Sequence, residues 1–340
     1  MARSAIRNLA LRAHRSSAHR PRSGDRRTRT HRAEPVPRHA PRRAVEHRTR
    51  DRCGTQRALN NHESEQELID RSLEHMARKR TDTVLVVKID GDRDRRVPDQ
   101  LVVEEPMTIQ LDGNVVATTM RTPGHDYELA VGFCHGDGLL AGFPVTGVRY
   151  CANGSAVDSN FNVVTVETGG RAPVPTPRLG NTSSSCGVCG SQSIDELSVR
   201  LAPLEPGSVV RIDQNKVLSI PDMVLGDQAL FNETGAVHAA AAFDAAGNVL
   251  VVREDVGRHN AVDKVVGHLL LEKKLPAGDL GLFVSGRASF EMVQKAWAAG
   301  FGTLISVSAP TALAVQTAKR AGLVLYGFAR GPQAVRYSPG

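Results

Sequence analysis

From Val237 to Gly331 the chain alternates short apolar runs with longer amphipathic stretches, and no other feature of its 340 residues constrains the fold as tightly. AVHAAAAFD and NVLVVRED read as two strands joined through Ala246-Gly247, and GRHNAVDKVVGHLLLEKKL follows as a helix. GLFVSG, TLISVS and LVLYGFARG read as further strands, separated by the helical stretches ASFEMVQKAWAAG and TALAVQTAKRAG. Strands alternating with helices across short loops bury their apolar sides by forming a sheet with helices on its faces. The expected fold class is therefore α/β, a mixed sheet with flanking helices, with this α/β domain spanning residues 194–337.

Residues 80–170 read as a smaller β-rich part. TVLVVKI is a strand, GDRDRR a charged turn, and the apolar runs LVVEEPMTIQL and NVVATTM flank Asp112-Gly113, a strong hairpin signal. Pro123-Gly124 makes a turn, Asp126 is placed to cap, and Tyr127 to Leu140 has helical spacing. Val148–Cys151 and Asn162–Thr168 read as two more strands, with Cys134 and Cys151 packed as small apolar side chains. Residues 171–193 form a Pro/Gly-rich linker and a loop. After them SIDELSVRLAPL is a short helix, SVVRID and VLSI short extended pieces, and PDMVLGDQALFNETG a helix closed by Gly235.

The overall charge of +7 is uneven. Residues 1–50 hold fifteen Arg against three acids, a surplus of +12, which leaves the other 290 residues at −5. An argument for nucleic-acid binding from the whole charge therefore fails. Residues 1–75, dominated by Arg, His, Pro and Ser, contain no apolar periodicity and read as a disordered Arg-rich extension, with Met76 an alternative start. No run of eighteen apolar residues is present, so no membrane span is expected. Five cysteines spread over a long chain suit a reducing cytoplasm better than a secreted disulfide framework.

The loop NTSSSCGVCGSQS, residues 181–193, carries Cys186 and Cys189 among Gly and Ser, with Val188 its one bulky apolar residue. Such a stretch makes neither a buried strand nor an amphipathic helix; it presents thiols. Four chemistries use Cys-x-x-Cys. A structural zinc site needs two more ligands, and the chain has no second Cys-x-x-Cys. A thioredoxin-like pair follows a strand directly at a helix start, which the Ser/Gly surroundings here do not provide. A zinc deaminase pairs His-x-Glu with a later Pro-Cys-x-x-Cys, whereas His238 precedes two alanines and comes after the cysteines. The fourth is a carrier thiol that accepts sulfur as a persulfide. Spacing alone does not choose among them.

SSSCGVCG, with RTPGHDYELAVGF upstream and TGAVHAAA, EDVGRHNAVDKVVG, VSGRASFEMVQKAWAAG and YGFARG downstream, resembles the FdhD family of formate dehydrogenase accessory sulfurtransferases over about residues 80–337. The resemblance implies a cytidine-deaminase-like C-terminal part. It also implies a homodimeric cytoplasmic sulfur carrier that takes persulfide sulfur from a cysteine desulfurase. The sulfur then passes to the molybdenum bis(molybdopterin guanine dinucleotide) cofactor before insertion into formate dehydrogenase. By that match Cys186 bears the persulfide, Cys189 assists or resolves it, and no permanently bound metal is expected. Cofactor contacts fall on Phe328, Ala329, Arg330, Gly331, Pro332 and Gln333, and on Arg258 and His259 after Gly257. Ser285-Gly286-Arg287 forms a similar strand-to-helix anion turn, while His238 reads as a core histidine. A non-catalytic cofactor chaperone is the alternative role. One departure is Ala236, where the family often has a second Gly; Ala fits unless that position needs a positive φ.

Overall fold

The computed structural model describes residues 78–338 apart from 92, 152–155, 158, 176–194, 196, 198 and 206–211. All of these belong to one compact unit, His62–Gly340. Cys53, Cys186 and Cys189 lie outside the described residues.

The chain opens with a two-stranded antiparallel ribbon, β1 (Thr81–Asp90) and β2 (Arg93–Val102). The charged stretch expected to be a turn is mostly strand, since Arg93 to Arg96 already pair with Asp90 to Val87. β3 (Glu105–Leu111) and β4 (Asn114–Arg121) follow as the expected hairpin. Its turn residues Asp112 (φ 47°) and Gly113 (φ 85°) both take the left-handed conformation that a two-residue type I′ turn demands. Helix α1 (Asp126–Gly136), β5 (Gly147–Tyr150) and β6 (Val163–Glu167) complete a four-stranded sheet of order β4-β3-β6-β5. Met107, Ile109, Leu111, Val164 and Val166 from one face of that sheet pack on Leu129, Ala130, Val131 and Cys134 of α1.

Asp126 does not cap α1. The N-cap is His125, at φ 57°, and the Asp126 carboxylate instead takes a bidentate bond from the buried Arg121, at 3.0 and 2.9 Å. Cys134 is buried as expected, and burial pushes its thiol far above the ordinary range.

Next come α2 (Gln214–Gly226) and α3 (Ala229–Thr234). VLSI is helical rather than extended, because Asp213 caps the Asn215 N–H at 2.7 Å and starts α2 seven residues before Pro221 reaches it. The helix expected over 221–235 is broken near Asp227, and the Glu254 carboxylate accepts the first N–H groups of α3, from Leu230 and Phe231. Gly235 closes α3 at φ 68°, and Ala236 is not among the positive-φ residues, so the family departure there carries no strain.

The alternating region folds as expected into β7 (His238–Asp244), β8 (Val249–Asp255), α4 (Arg258–Leu271), β9 (Leu280–Val284), α5 (Phe290–Ala299), β10 (Thr303–Ser306), α6 (Ala312–Ala321) and β11 (Val324–Arg330). An added strand, β12 (Gln333–Ser338), pairs antiparallel with β11. The six-stranded sheet has the order β12-β11-β10-β9-β7-β8. Its strands alternate faces with period two. Ala240, Ala242, Leu282, Val284, Leu304 and Leu325 face the layer of α4, α5 and α6, while Ala241, Phe243, Phe283, Ile305 and Tyr326 face α2. β9 is buried at all five positions, which is why its sequence is one unbroken apolar run.

The two sheets are joined by α1 crossing α4 with no side chain between them. A Cβ on Gly132 would lie 1.9 Å from the Asp263 carbonyl oxygen, and one on Gly267 would lie 1.8 Å from that of Glu128. Beside the crossing, Arg253 of β8 donates to both Glu128 carboxylate oxygens at 2.5 and 2.7 Å, and His268 of α4 adds a third contact at 3.0 Å. Burial would raise the Glu128 carboxyl, but the bonds from Arg253 and His268 overcome it and hold the group at about 2.

Two outcomes follow from this crossing. Gly267→Ala has no room for its methyl and should lower unfolding free energy in urea titration by about 3 kcal/mol, whereas Gly226→Ala, with open space around it, should cost less than about 1 kcal/mol and is the matched control. Because folding depresses the Glu128 pKa, its contribution is complete above about pH 4.5 and is lost as pH falls through 2; the slope of unfolding free energy over that window should shrink in Glu128→Gln.

A candidate anion site at the carboxyl edge of the sheet

β9, β10 and β11 run parallel, and β7 runs antiparallel to both β8 and β9, so β8 to β11 all end at one edge. At that edge β8 leads into α4, β9 into α5 and β10 into α6. Three helix N-termini, each the positive end of its dipole, therefore meet where the strands stop, the usual ligand edge of an open α/β sheet; that of α6 is capped by Thr311, whose Oγ1 accepts the Ala314 N–H.

The sequence-derived residues gather along this edge. Arg258 and His259 are the first two residues of α4, behind the N-cap Gly257, which has no side chain to occupy the helix end. His238 begins β7 on the same edge, paired with Asp255. A Cβ at Gly286 would meet the His238 imidazole at 3.5 Å and Arg258 Cδ at 3.7 Å, so both side chains lie against the space that this glycine leaves open. Ser285 is tied to β7 in both directions: its N–H donates to the Ala239 carbonyl and its Oγ accepts the Ala239 N–H, each at 2.9 Å. Further along, Ser306 Oγ lies 2.8 Å from the Gly286 carbonyl oxygen and 2.9 Å from that of Ser308, whose carbonyl accepts the Phe328 N–H.

The FARGPQ segment is divided by this geometry. Phe328 is at φ 52°, breaking the β11–β12 register and turning its ring outward, whereas Ala329 is buried in the core. Arg330, Gly331, Pro332 and Gln333 form the exposed end of the hairpin, with Gly331 at φ 55°. Phe328 is linked to the Gly286 turn through Ser308 and Ser306; Arg330 ends β11, paired with Gln333.

Two residues at the edge, Glu291 and Ser289, were not singled out by sequence. The Glu291 carboxylate, in the first turn of α5, forms an ion pair with His259 Nε2. That bond, against the opposing effect of burial, holds Glu291 below the usual carboxylate range. Ser289 Oγ and Arg258 Nε are buried donors with no hydrogen-bond partner among the described residues. His238 is held below its ordinary pKa, first by burial and then by the charges of Arg258 and His259, which favours its neutral imidazole. The first-turn Glu in SFEMVQ was the visible signal for Glu291; Ser289 had none.

A buried polar lock fixes the β8–α4 turn. Asp255 Oδ1 accepts from Gly257 N and Asn260 Nδ2, at 2.8 and 2.9 Å, and Oδ2 accepts from Thr122 N at 3.2 Å and Lys264 Nζ at 2.7 Å. Both members of the Asp255–Lys264 pair are fully buried, and Lys264 also donates to the Thr122 carbonyl at 3.0 Å. Thus the RTPGH turn before α1 and the EDVGRH turn before α4, distant in sequence, form one hydrogen-bonded unit.

The model of the FdhD/NarQ family matches residues 102–340. The chain belongs to the FdhD/NarQ family. Two proteins named Sulfur carrier protein FdhD illustrate its relatives. That of Corynebacterium efficiens is 43% identical over 251 residues, covering 71% of this chain and 90% of its own. That of Streptomyces coelicolor is 45% identical over 240 residues, covering 69% and 85%. A crystal structure of a Desulfotalea psychrophila protein, named as a formate dehydrogenase accessory protein, shares the fold with a TM-score of 0.59 at 22% identity, covering 77% of this chain and 98% of that one. Among the described residues of this family member, no helix is long and apolar enough to cross a membrane.

The lock is testable. Asp255→Asn leaves Lys264 as an uncompensated buried charge and should cost about 3–5 kcal/mol of unfolding free energy at pH 7, read by urea titration.

Proposed function

We propose that this protein is a sulfur carrier in formate dehydrogenase maturation. The observation that carries this is the family match over residues 102–340, together with 43–45% identity to relatives named as sulfur carriers and the Cys186-x-x-Cys189 pair in this chain. In this reading a cysteine desulfurase presents a persulfide. The Cys186 thiolate attacks its outer sulfur, a new S–S bond forms on Cys186, and the donor cysteine leaves as a thiolate. Cys189 then attacks Cys186 Sγ, closing a disulfide and expelling the outer sulfur as hydrosulfide, the two electrons coming from the thiols. A dithiol reductant reopens the pair for the next round.

The acceptor in this proposal is the molybdenum bis(molybdopterin guanine dinucleotide) cofactor, held as substrate. Its diphosphates suit the carboxyl edge, where Arg258 Nε and Ser289 Oγ have no hydrogen-bond partner among the described residues and Gly257 leaves the start of α4 open. His238, its neutral form favoured, adds a hydrogen-bonding group without adding charge, and Glu291 balances His259. Phe328 offers an exposed ring beside the same edge.

Intact-mass spectrometry after incubation with a cysteine desulfurase and cysteine tests the carrier step. A gain of about 32 Da, one sulfur atom, should map to Cys186 and vanish in Cys186→Ala. Cys186→Ala protein that still supports formate dehydrogenase would establish the chaperone role instead. For the edge, Arg258→Ala should weaken binding of guanosine diphosphate, a fragment of the cofactor, about tenfold in calorimetry, and unchanged affinity would remove Arg258 from the site.

A further inference from the structure

Helices α4 and α5 start side by side at the carboxyl edge, and two acid–base pairs join them, one turn apart. His259 of α4 meets Glu291 of α5 at the edge; Asp263 and Lys295, each four residues further on, make the deeper pair. The order reverses between the two, so each helix contributes one acid and one base. The deeper pair is sealed. Lys295 Nζ donates to both Asp263 carboxylate oxygens at 2.7 and 3.0 Å, with Asp137 Oδ1 at 3.8 Å and the Phe133 ring 5.5 Å away. The Lys295 side chain is 7% exposed and that of Asp263 2%. In the outer pair Glu291 is 48% exposed and His259 18%. Since Lys295 is committed to Asp263, the outer carboxylate has His259 as its close partner and can turn into solvent without opening the pair beneath it.

The contact between Glu291 and His259 is close but poorly aligned: His259 Nε2 is buried and makes no hydrogen bond of good geometry. An N–H out of line with its acceptor remains open to a better-placed one. His259 Nε2 thus joins Arg258 Nε and Ser289 Oγ, the other two buried and unsatisfied groups at the starts of α4 and α5. A phosphate oxygen arriving there offers all three an acceptor, and Glu291 is the one nearby group that opposes it, by its negative charge and by its hold on His259. We propose that Glu291 is a tethered competitor for this site: its carboxylate holds His259 until an anionic ligand displaces it, and its return promotes the ligand's release. This role rests on the reading of the edge as a diphosphate site. It adds what a protein that passes its ligand onward needs, a counter-charge that keeps binding reversible.

Calorimetric titration of the full-length chain with guanosine diphosphate is the test. Glu291→Gln keeps the side chain's size and removes its charge; it should bind about fivefold tighter, and the gain should shrink below about twofold in about 0.5 M salt, where charges near the surface are screened. Dissociation of a fluorescent N-methylanthraniloyl guanosine diphosphate, followed by stopped flow, should slow by a similar factor. In a His259→Gln background the same substitution should change affinity by less than about twofold, because the competitor then has nothing to hold. The melting temperature of Glu291→Gln should move by less than about 3 °C, as a half-exposed pair contributes little stability. Unchanged affinity or an unchanged dissociation rate overturns the proposal. So does weaker binding, which would make the carboxylate a support for His259, or a gain that persists in His259→Gln, which would make it plain repulsion. A fall of about 10 °C in both Glu291→Gln and Glu291→Ala also overturns it, since the carboxylate would then hold the helices together. A wild type that binds no guanosine diphosphate removes the diphosphate site and this role with it, whereas binding that needs Arg258 but ignores Glu291 leaves the site standing and removes the competitor alone.

Discussion

The whole arrangement depends on two helices meeting backbone to backbone. Gly132 and Gly267 bring α1 and α4 so close that a single methyl on either would strike a carbonyl of the other. No rotamer change relieves such a contact, since the obstructing atom is main chain. The close approach fixes the spacing between the four-stranded and six-stranded sheets. It also carries the start of α1 to the start of α4, where Asp255 and Lys264 bind the two turns together. Buried ion pairs are a weak source of stability, because desolvation offsets the attraction. This one is better understood as fixing geometry: four donors converge on one carboxylate, and the turn that presents Arg258 has little freedom left.

The edge so positioned is electrostatically uneven in a useful way. Strand ends and helix starts coincide there, and the strongest fixed positive charges, Arg258 and the α4 N-terminus, are joined by a histidine whose neutral form is favoured and another whose charge Glu291 can balance. An anion entering this edge displaces nothing from the buried donors of Arg258 and Ser289, which have no partner among the described residues to give up. Preformed, unspent donors cost no reorganisation when an acceptor arrives.

How much of this was legible in the sequence varied with the physics behind each element. β9 could be read because both of its faces are buried, leaving an uninterrupted apolar run, and the Asp112-Gly113 turn could be read because few other residues tolerate two successive left-handed conformations. β2 was obscured because both faces of its first half are exposed and charged, so no alternation survives. α2 was obscured by Pro221, which normally signals a boundary but here follows a helix already started from Asp213. Arg258 and His259 could be named from a motif, but their meeting with His238, Gly286 and Glu291 depends on strand order, which local sequence does not encode. Phe328's outward turn likewise arises from a register shift against β12, a strand that the sequence pattern did not reveal.

Cys134 adds a consequence of its own. Its sulfur is sealed at the centre of the smaller core, on the same helix as Gly132, and burial keeps it protonated. A thiolate-seeking reagent reaches that sulfur only when α1 lifts from its sheet. The rate of its alkylation is therefore a clock for the opening of that layer, built into the chain without a dye or a label.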